Sequence, residues 1–404
     1  KEDGLYLVPI IDAGVKVEEG YDIYEEGIAG DHFCKDKDGK PYEGVVWPGK
    51  VHFPDFMKEE TQDWFGSKYK VLTDCGIEGF WNDMNEPAIF YGQEALDEAI
   101  NYAEESKGKN LDAFSFFKLK DNFTYLANKD SYYQSFYHEM DGKRFTNDEV
   151  HNLYGYYMTK SANIGLTKLL KGKRFLLISR ASSIGMHRYG GIWTGDNSSW
   201  WSHLEQNIKM LPSLNMCGFF YIGADTGGFG GNCNGEILTR WLQLSVFTPL
   251  LRNHSAIGCN NQEPYAFTED VLINSRNLIK ARYSLVPYIY SEYMKAVNNY
   301  NIMFKPLSFE FKENLAKEVE DQMLLGDQLM IAPVCQSNRS GRFVYLPEKM
   351  LEVSFLDEDI ATSVKEKGIQ YIEYGLENLK FFIRRNSILP YVKPSKNIVE
   401  LDQQ

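Results

Sequence analysis

Two carboxylates at the end of one apolar stretch are the clearest sign of chemistry in the sequence. The stretch Ile77 to Pro87 reads IEGFWNDMNEP and places Asp83 and Glu86 directly after strand-forming residues. The carboxyl ends of parallel strands face the ligand in barrels and open α/β sheets. We therefore take Asp83 as the leading candidate for a reacting group. The alternative is that Asp83 and Glu86 form only a turn and a helix cap.

A second carboxylate, Asp196, ends the apolar run GGIWTGD. Two carboxyl groups suit the cleavage of a glycosidic bond, in which one protonates the leaving oxygen and the other attacks the sugar or activates water. The alternative for Asp196 is a cap of the helix predicted to begin near Trp200, with Asn197 to Ser199 as its capping turn. The two carboxylates are far apart in sequence, so only the fold can bring them together.

Several apolar runs share this pattern of a strand that stops in polar side chains. The runs end at Asp12, Asp83, Arg180, Asp196, Asp225 and the cluster Arg252 to His254. Predicted helices separate most of them, over 62–74, 151–170, 200–210 and 236–247. This alternation is typical of a (β/α)8 barrel, whose active site is built from many strand ends.

The 404 residues exceed the usual size of one hydrophobic core, so we expect two domains. Residues 1–300 are predicted to form a partial barrel, with an insertion at about 88–150 and a long non-helical connection at 16–60. A helix is expected over 278–299. Residues 301–404 have the pattern of an all-β sandwich, which we expect to be incomplete. Because the chain starts at Lys1 and enters a predicted buried strand at residues 5–11 almost at once, we expect it to be a piece of a longer protein whose N-terminal part is missing. Six strands are also too few to close an eight-stranded barrel.

The amino-acid composition limits the classes of binding partner that the protein can have. The formal net charge of −13 disfavours nucleic acids and anionic membranes, and no apolar run approaches a transmembrane length, so we expect a small neutral substrate. The six scattered cysteines form no CxxC pair and favour a reducing, cytoplasmic location. We expect no metal and no cofactor, because metal-ligand, phosphate-loop and GxSxG motifs are absent from the sequence. The sequence leaves the oligomeric state open.

Longer motifs extend the pattern to the whole chain. GFWNDMNEP, HRYGGIWTGDNSSWW, GADTGGFGG, RWLQLSVFTPLLRNHS and DQLMIAPV occur in this order. Together they resemble glycoside hydrolase family 31, and within it the bacterial α-glucosidases. The resemblance implies a (β/α)8 barrel followed by a β-sandwich, and a retaining hydrolase that removes terminal α-linked glucose from short oligosaccharides.

The resemblance also implies residue roles. Asp83 matches the nucleophile of the family and Asp196 its acid/base, with the two carboxyl groups about 5 to 5.5 Å apart. Other positions match the lining of the glucose pocket, with Asp12 and Asp225 as its neighbours. The lining positions are Trp47, Trp81, Arg180, Trp193, Phe229 and His254. Trp47 has the alternative of plain packing.

Other functions stay open. An α-xylosidase or a transglucosidase of the same family would use the same carboxylates. A carbohydrate-binding or regulatory subunit on an inactive barrel, or a structural fragment, would not need them. The sequence does not distinguish α-1,4 from α-1,6 linkages, nor hydrolysis from transfer.

Overall fold

The computed structural model describes residues 4–357, 359–395 and 397–398. Its residues divide into two compact units, one comprising Leu5–Gly190 and one that starts at Gly191. Each unit contains one part of the candidate site, so the two are described in turn. Among the described residues, no helix combines the length and apolar character that crossing a membrane requires.

The first unit mixes parallel and antiparallel strands. Its strands are β1 (Ile10–Asp12), β2 (Val15–Lys16), β3 (Lys35–Asp36), β4 (Glu43–Val46), β5 (Gly49–His52), β6 (Gly79–Asp83), β7 (Phe136–Met140), β8 (Lys143–Thr146) and β9 (Leu176–Ser179). Its helices are α1 (Asp22–Ala29), α2 (Glu59–Lys68), α3 (Lys70–Thr73), α4 (Gln93–Ser106), α5 (Ala113–Thr124), α6 (Asp130–Tyr133) and α7 (Asn147–Leu169).

The parallel strands β1, β6 and β9 form the frame of the candidate site. β6 lies between the other two and pairs Asp83 with Asp12 of β1. The apolar residues of β6 are buried, and Phe80 lies in a core with Phe65 and Leu166 of the flanking helices α2 and α7. Both β6 and β9 therefore end in polar residues at one edge, as the strand-end pattern predicted.

Helices α2 and α7 approach closely because glycines face each other at their contact. A Cβ atom added to Gly165 would lie 2.1 Å from the carbonyl oxygen of Gly66, so a larger residue would force the helices apart. Tyr69, which follows α2, donates a hydrogen bond of 2.7 Å to Asn82 Oδ1 at the end of β6. The position of this strand end therefore depends on the helix pair behind it.

Two predictions for the first unit are wrong in detail. The predicted buried strand over residues 5–11 is reduced to β1, and Leu5 and Leu7 are 74% and 76% exposed. The connection at 16–60 contains the helix α1 and the antiparallel sheet β2-β5-β4, which sequence reasoning missed because Pro and Gly bound each short element. The 88–150 segment contains α4, α5, α6, β7 and β8, and β7 pairs with β3 in a separate antiparallel sheet.

The second unit begins with two parallel strands and continues into antiparallel sheets. Its strands are β10 (Gly191–Trp193), β11 (Ile222–Gly223), β12 (Phe304–Pro306), β13 (Met323–Leu325), β14 (Leu329–Ile331), β15 (Gly341–Leu346), β16 (Met350–Leu356), β17 (Asp359–Lys365), β18 (Gly368–Glu373) and β19 (Leu379–Ile383). Its helices are α8 (Trp201–Met216), α9 (Gly235–Ser245), α10 (Glu269–Asn299) and α11 (Asn314–Glu318).

The parallel part of this unit follows the predicted strand-helix order. β10 pairs with β11, α8 connects them, and α9 follows β11. The run TPLLRNHS was predicted to be a strand, but it forms only an isolated bridge between Asp225 and Arg252. The bridge nevertheless places Arg252, the first residue of the cluster Arg252 to His254, beside Asp225 near the end of β11.

The antiparallel part has two sheets around one core, as predicted for a β-sandwich. The larger has the order β12-β13-β14-β19-β16-β17, and the smaller pairs β15 with β18. Met330 and Phe382 of the larger sheet share a core with Val344 and Ile372 of the smaller one. The predicted fold class, parallel strands with helices followed by a separate β-sheet domain, is confirmed.

A buried arginine ties α9 to the β-sheet part of the same unit. Arg240 is 2% exposed, and its guanidinium donates to the carbonyl oxygens of Arg339 at 2.6 Å, Tyr374 at 3.0 Å and Gly375 at 3.3 Å. Gln243, one turn further along α9, also donates to Gly375 O at 2.9 Å. The helix that follows the Asp225 turn is thus bonded directly to loops of the β-sheet part.

Candidate functional site

The Asp83 edge, by which we mean Asp12, Asp83, Glu86 and Arg180, lies at the carboxyl ends of β1, β6 and β9. Asp83 is the last residue of β6, and its Oδ1 accepts a hydrogen bond of 2.8 Å from the Met84 amide. Arg180 Nη1 lies 3.0 Å from the same oxygen. Because α4 begins only at Gln93, Asp83 and Glu86 do not cap a helix, and the turn-and-cap alternative is wrong in that respect.

Glu86 fixes the orientation of Arg180. Arg180 Nε donates to Glu86 Oε1 at 2.7 Å, and Nη2 donates to Oε2 at 3.0 Å. This is a bidentate arginine–carboxylate pair, which constrains the guanidinium plane far more than a single contact does. With Nε and Nη2 held by Glu86, Nη1 is directed at Asp83.

Neighbouring amides secure the turn between Asp83 and Glu86. Asn85 is fully buried, and its Nδ2 donates to Ser179 Oγ at 2.9 Å while its Oδ1 accepts from the Ala181 amide at 3.0 Å. These two bonds join the β6 turn to the end of β9 on either side of Arg180. The carboxylate and its arginine are therefore held by the same buried connection.

Asp12 is the third carboxyl group at this edge. Burial, together with the negative charges of Asp83 and Glu86, raises the pKa of Asp12 from 3.8 to about 6, although the positive charge of Arg180 opposes the rise. Burial and the excess of negative charge around one arginine therefore favour the protonated form of Asp12 more than in an exposed aspartate.

The two tryptophans predicted for this unit differ in burial. Trp81, inside β6, is 7% exposed and lies two residues before Asp83 in the same strand. Trp47 follows β4, is 65% exposed, and packs edge to face on Phe90 with ring centroids 5.1 Å apart. Plain interior packing therefore does not describe Trp47, which presents most of its surface to solvent.

The Asp196 loop, residues 194–199, follows β10 in the second unit. Asp196 is exposed, and Gly195 before it has a φ of +77°, a conformation that favours glycine. The N-cap of α8 is Trp200, without a side-chain cap bond, so Asp196 is not the helix cap and the capping-turn prediction is wrong. The loop is held instead by hydrogen bonds from α8 and from a glycine-rich turn.

The glycine-rich turn 226–231 lies against this loop. The carbonyl oxygen of Asn197 accepts hydrogen bonds from the amides of Phe229 and Gly230, and the Ser199 amide donates to Gly230 O at 2.7 Å. A Cβ atom on Gly228, which has a φ of +92°, would lie 2.4 Å from the Ser199 amide nitrogen. Only glycine permits this close approach, which explains the composition of the GGFGG motif.

Asp225, Arg252 and Trp193 form a buried group at the ends of β10 and β11. Asp225 is fully buried, and its Oδ1 accepts from Arg252 Nε at 3.0 Å and also from Nη2. The guanidinium carbon of Arg252 lies 4.9 Å from the ring centroid of Trp193, in cation–π range. The negative charge of Asp225 is therefore neutralised inside the unit, and the group positions the Trp193 ring.

His254 and Phe229 stack on each other. Their ring centroids are 5.2 Å apart with an interplanar angle of 25°. Burial and the nearby Arg252 lower the pKa of His254 below its ordinary value, although the charge of Asp196 opposes the shift. The imidazole is therefore neutral near pH 7 and can donate or accept a hydrogen bond.

A separate buried cluster has the residue types of a metal site. The ligand atoms of Cys34, Asp55 and His138 lie within 4.8 Å of one another. His138 Nδ1 is 2.8 Å from Asp55 Oδ1, whereas neighbouring donors of a tetrahedral zinc site lie about 3.3 Å apart. His138 Nε2 contacts Asn147 Oδ1 at 2.9 Å. The distances therefore fit a hydrogen-bonded cluster that fixes β7 against residues 54–55.

The structure thus brings the predicted residues into two groups. Asp12, Asp83, Trp81 and Arg180 meet in the first unit, with Trp47 exposed at a different strand end. The second unit contains the rest of the predicted site residues, namely Trp193, Asp196, Asp225, Phe229 and His254. Sequence reasoning did not assign a role to Glu86 in orienting Arg180, nor to His203 and Asn207 of α8. The sequence did contain one indication of their role. His203 and Asn207 are four residues apart, which places both on one face of the helix.

Comparison with known proteins gives the family. Residues 1–292 match the Glycosyl hydrolases family 31 TIM-barrel domain, and residues 300–389 match the Glycosyl hydrolase family 31 C-terminal domain. The chain is 37% identical over 392 residues to Alpha-glucosidase 2 of Bacillus thermoamyloliquefaciens, covering 96% of this chain and 44% of that protein. It is 31% identical over 391 residues to human Neutral alpha-glucosidase AB, covering 95% and 37%.

Solved structures agree with this assignment. The crystal structure of a glucosidase II alpha subunit bound to alpha3-Glc2 matches with a TM-score of 0.78 and 26% identity, covering 98% of this chain and 40% of that chain. A GH31 dextranase of Flavobacterium johnsoniae complexed with isomaltotriose matches with a TM-score of 0.75 and 25% identity, covering 97% and 45%. The chain spans less than half the length of these relatives. With its barrel and C-terminal segments both matched, the chain belongs to glycoside hydrolase family 31.

Proposed function

We propose that the protein is a retaining α-glucosidase that removes terminal, non-reducing α-linked glucose from short oligosaccharides of the maltose or isomaltose type. The observation that most supports this is Asp83 at the carboxyl end of β6, held by the Met84 amide and paired with Arg180. The α-glucosidases among the similar proteins support the choice of sugar.

In the proposed first step, Asp83 attacks the anomeric carbon of the terminal glucose. The Arg180 guanidinium, 3.0 Å from Asp83 Oδ1, favours the ionised carboxylate that attack requires. As the new bond to Asp83 forms, the bond to the leaving oxygen breaks, and Asp196 transfers its proton to that oxygen. The step yields a glucosyl ester of Asp83, a free sugar and an ionised Asp196.

In the proposed second step, Asp196 acts as a base. It removes a proton from water, the water oxygen attacks the anomeric carbon, and the ester bond to Asp83 breaks. Two inversions give α-glucose and return both carboxyl groups to their starting states. Asp196 thus has to bind and release a proton once in every cycle.

The remaining predicted residues are proposed to bind the glucose. Arg180 and His254 hold hydroxyl groups, and the rings of Trp47, Trp81, Trp193 and Phe229 form the walls of the pocket. Asp12 and Asp225 are proposed as neighbours that set the charge around Arg180 and Arg252. The neutral state of His254, which follows from its lowered pKa, suits hydrogen bonding to a hydroxyl group.

Domain organisation and location are part of the proposal. We place the barrel at 1–300 and the β-sandwich domain at 301–404, and the gap between the two matched family segments supports this boundary. All six cysteines are free thiols, which supports a reducing, cytoplasmic location. The net charge of −13 supports a neutral carbohydrate as partner rather than a nucleic acid or a membrane.

The test is hydrolysis of p-nitrophenyl α-glucoside, maltose and isomaltose by the full-length protein and by Asp83→Asn and Asp196→Asn. We expect Asp83→Asn to lose at least about 10⁴-fold in kcat, since the substitution removes the group proposed to form the ester. Asp63→Asn, an exposed carboxylate of the same unit, is the control. Turnover of α-xylosides alone, or sugar binding with no turnover and no effect of Asp83→Asn, would replace the proposal by the xylosidase or binding-subunit alternative.

A further inference from the structure

The backbone on both sides of Asp196 is tied to one face of α8. Thr194 Oγ1 lies 2.8 Å from Asn207 Oδ1 and 3.0 Å from Asn197 Oδ1. Asn207, only 2% exposed, also donates through Nδ2 to Asn197 Oδ1 and to His203 O, the latter at 2.8 Å. Asn197 Nδ2 donates back to Thr194 O at 2.8 Å. A closed ring of hydrogen bonds thus joins the residues before and after Asp196 to a buried amide of the helix.

His203 supplies a second anchor one helical turn earlier. Its Nδ1 lies 2.7 Å from the Ser198 amide nitrogen, which can only donate. Nδ1 must therefore be unprotonated, and in the neutral ring the proton is on Nε2. The Trp200 ring packs edge to face on the imidazole, with centroids 4.9 Å apart, and restricts its rotation. The anchor has a defined tautomer and a defined ring orientation.

These anchors fix the backbone from which the Asp196 side chain projects. Asp196 is exposed, and the preceding Gly195 has no side chain to restrict the backbone. The glycine-rich turn bonds to the carbonyl oxygen of Asn197 and to Ser199, which lie after Asp196. The side chains of Asn207 and its partner Asn197 form hydrogen bonds that reach both ends of the loop.

We propose that Asn207 and His203 are positioning residues for the Asp196 carboxyl group. This inference rests on the proposed function, in which Asp196 donates a proton to the leaving oxygen and later accepts one from water. Both anchors are neutral groups that hold the backbone on the two sides of Asp196. Their loss displaces the carboxyl group but leaves Asp83 and Arg180 untouched.

The consequence is a dependence on the leaving group. Maltose has a sugar hydroxyl as leaving group, which must be protonated as the bond breaks, whereas fluoride leaves α-glucosyl fluoride as a stable anion without a proton. Displacing Asp196 therefore slows the first step for maltose far more than for the fluoride. The second step then becomes limiting for the fluoride, because water still needs a base.

The experiment compares His203→Ala and Asn207→Leu with the parent in the full-length protein on maltose and on α-glucosyl fluoride. We expect kcat/KM, which reports the first step, to fall about 100-fold on maltose, the lower range for general acid–base catalysis, and less than about 10-fold on the fluoride. Sodium azide should restore turnover of the fluoride. The azide anion attacks the anomeric carbon, Asp83 is released, and glucosyl azide forms without any proton transfer.

Two further variants separate positioning from general damage. Asn215→Leu removes an equally buried amide of the same helix, which bonds instead to Phe219 O at 2.9 Å and to the Phe304 amide at 2.8 Å. We expect it to lower stability with equal effects on both substrates and no azide rescue. His203→Gln, whose amide oxygen can accept from Ser198, should recover most of the maltose activity.

Two outcomes would overturn the inference. Equal losses of kcat/KM on maltose and fluoride in His203→Ala and Asn207→Leu would assign these residues a merely structural role. Absence of azide rescue in both variants, with rescue present in Asp196→Asn, would show that the carboxyl group had not moved. If the unsubstituted protein hydrolyses no α-glucoside, the proposed function itself is wrong. This measurement comes before any variant is made, so the two failures are distinguishable.

Discussion

The Asp83 edge and the Asp196 loop hold their carboxyl groups in opposite ways. Asp83 lies among charges, with Arg180 shared between it and Glu86 and with Asp12 on the next strand. The Asp196 loop is fixed by amides, a hydroxyl and a neutral imidazole. A nucleophile needs to be ionised when it attacks, and an adjacent arginine favours that state. An acid/base must change its charge twice in each cycle, and the groups that hold the backbone of the Asp196 loop are themselves uncharged.

The largest expected effect concerns Arg180, which holds the charged groups of the Asp83 edge together. Arg180→Lys keeps the charge but loses the planar fork that holds Glu86 and Asp83 together. We expect kcat/KM for p-nitrophenyl α-glucoside to fall about 100-fold or more, as when one preorganised donor is removed from an active site. Arg188→Lys is the control, since Arg188 is exposed and bonds to Gly185 O and Tyr156. Similar activities of the two variants would mean that charge geometry at Asp83 is unimportant.

A smaller effect is expected for the Asp196 loop, which is held by uncharged groups. Gly228→Ala places a Cβ atom 2.4 Å from the Ser199 amide nitrogen at a φ of +92°, so the turn and the Asp196 loop must separate. We expect a loss of about 2 kcal/mol in the free energy of unfolding and about 10-fold in kcat on maltose. Urea denaturation and maltose hydrolysis measure the two quantities.

Gly258→Ala separates backbone strain from displacement of the loop. Gly258 has a φ of +85°, but an added Cβ meets nothing within 4 Å. It should therefore lose stability without the loss of kcat. A normal kcat in Gly228→Ala would show that the turn does not support the loop.

The smallest expected effect concerns the excess of negative charge at the Asp83 edge. Folding raises the pKa of Asp12 from 3.8 to about 6, so the folded state binds a proton that the unfolded chain has released. The stabilising contribution of this proton is complete below pH 4 and is lost as the pH rises through 6. Asp12→Asn removes the penalty of the charged form. We expect it to raise the free energy of unfolding by about 1 kcal/mol near pH 8, after discounting for partial exposure, and to have no such effect near pH 4.

Urea denaturation at the two pH values measures this difference. Asp63→Asn provides the comparison, because Asp63 is exposed and forms an ion pair with Lys168 on the surface. A gain for Asp12→Asn that is the same at both pH values would assign it to packing rather than to charge. The Asp83 edge would then carry less excess negative charge than the raised pKa of Asp12 indicates.

The sequence predicted the strand ends well because apolar runs and the polar residues after them are adjacent in the chain. Asp12, Asp83 and Arg180 meet as expected from that local pattern alone. The partnership of Arg180 with Glu86 was not predicted, since both face the same edge only after β6 and β9 pair.

The short elements and the anchors of Asp196 were harder to predict. The run of residues 5–11 looks like a buried strand by composition, yet its apolar side chains are largely exposed and only three residues pair at its end. His203 and Asn207 resemble ordinary polar residues of a helix. Their roles depend on which loop the helix faces, and hydrophobic periodicity does not contain that information.

The contacts of Arg240 limit how the parts of this protein can be exchanged. A chimera joined near residue 300 would give the barrel segment a foreign β-sheet domain. The guanidinium would then need three carbonyl oxygens at the positions that Arg339, Tyr374 and Gly375 now provide. A donor domain without that backbone path would leave a buried cation unsolvated, which costs several kcal/mol. For recombination, the unit to be inherited is therefore the barrel segment together with the two loops of the β-sheet part that carry Arg339 and the pair Tyr374 and Gly375.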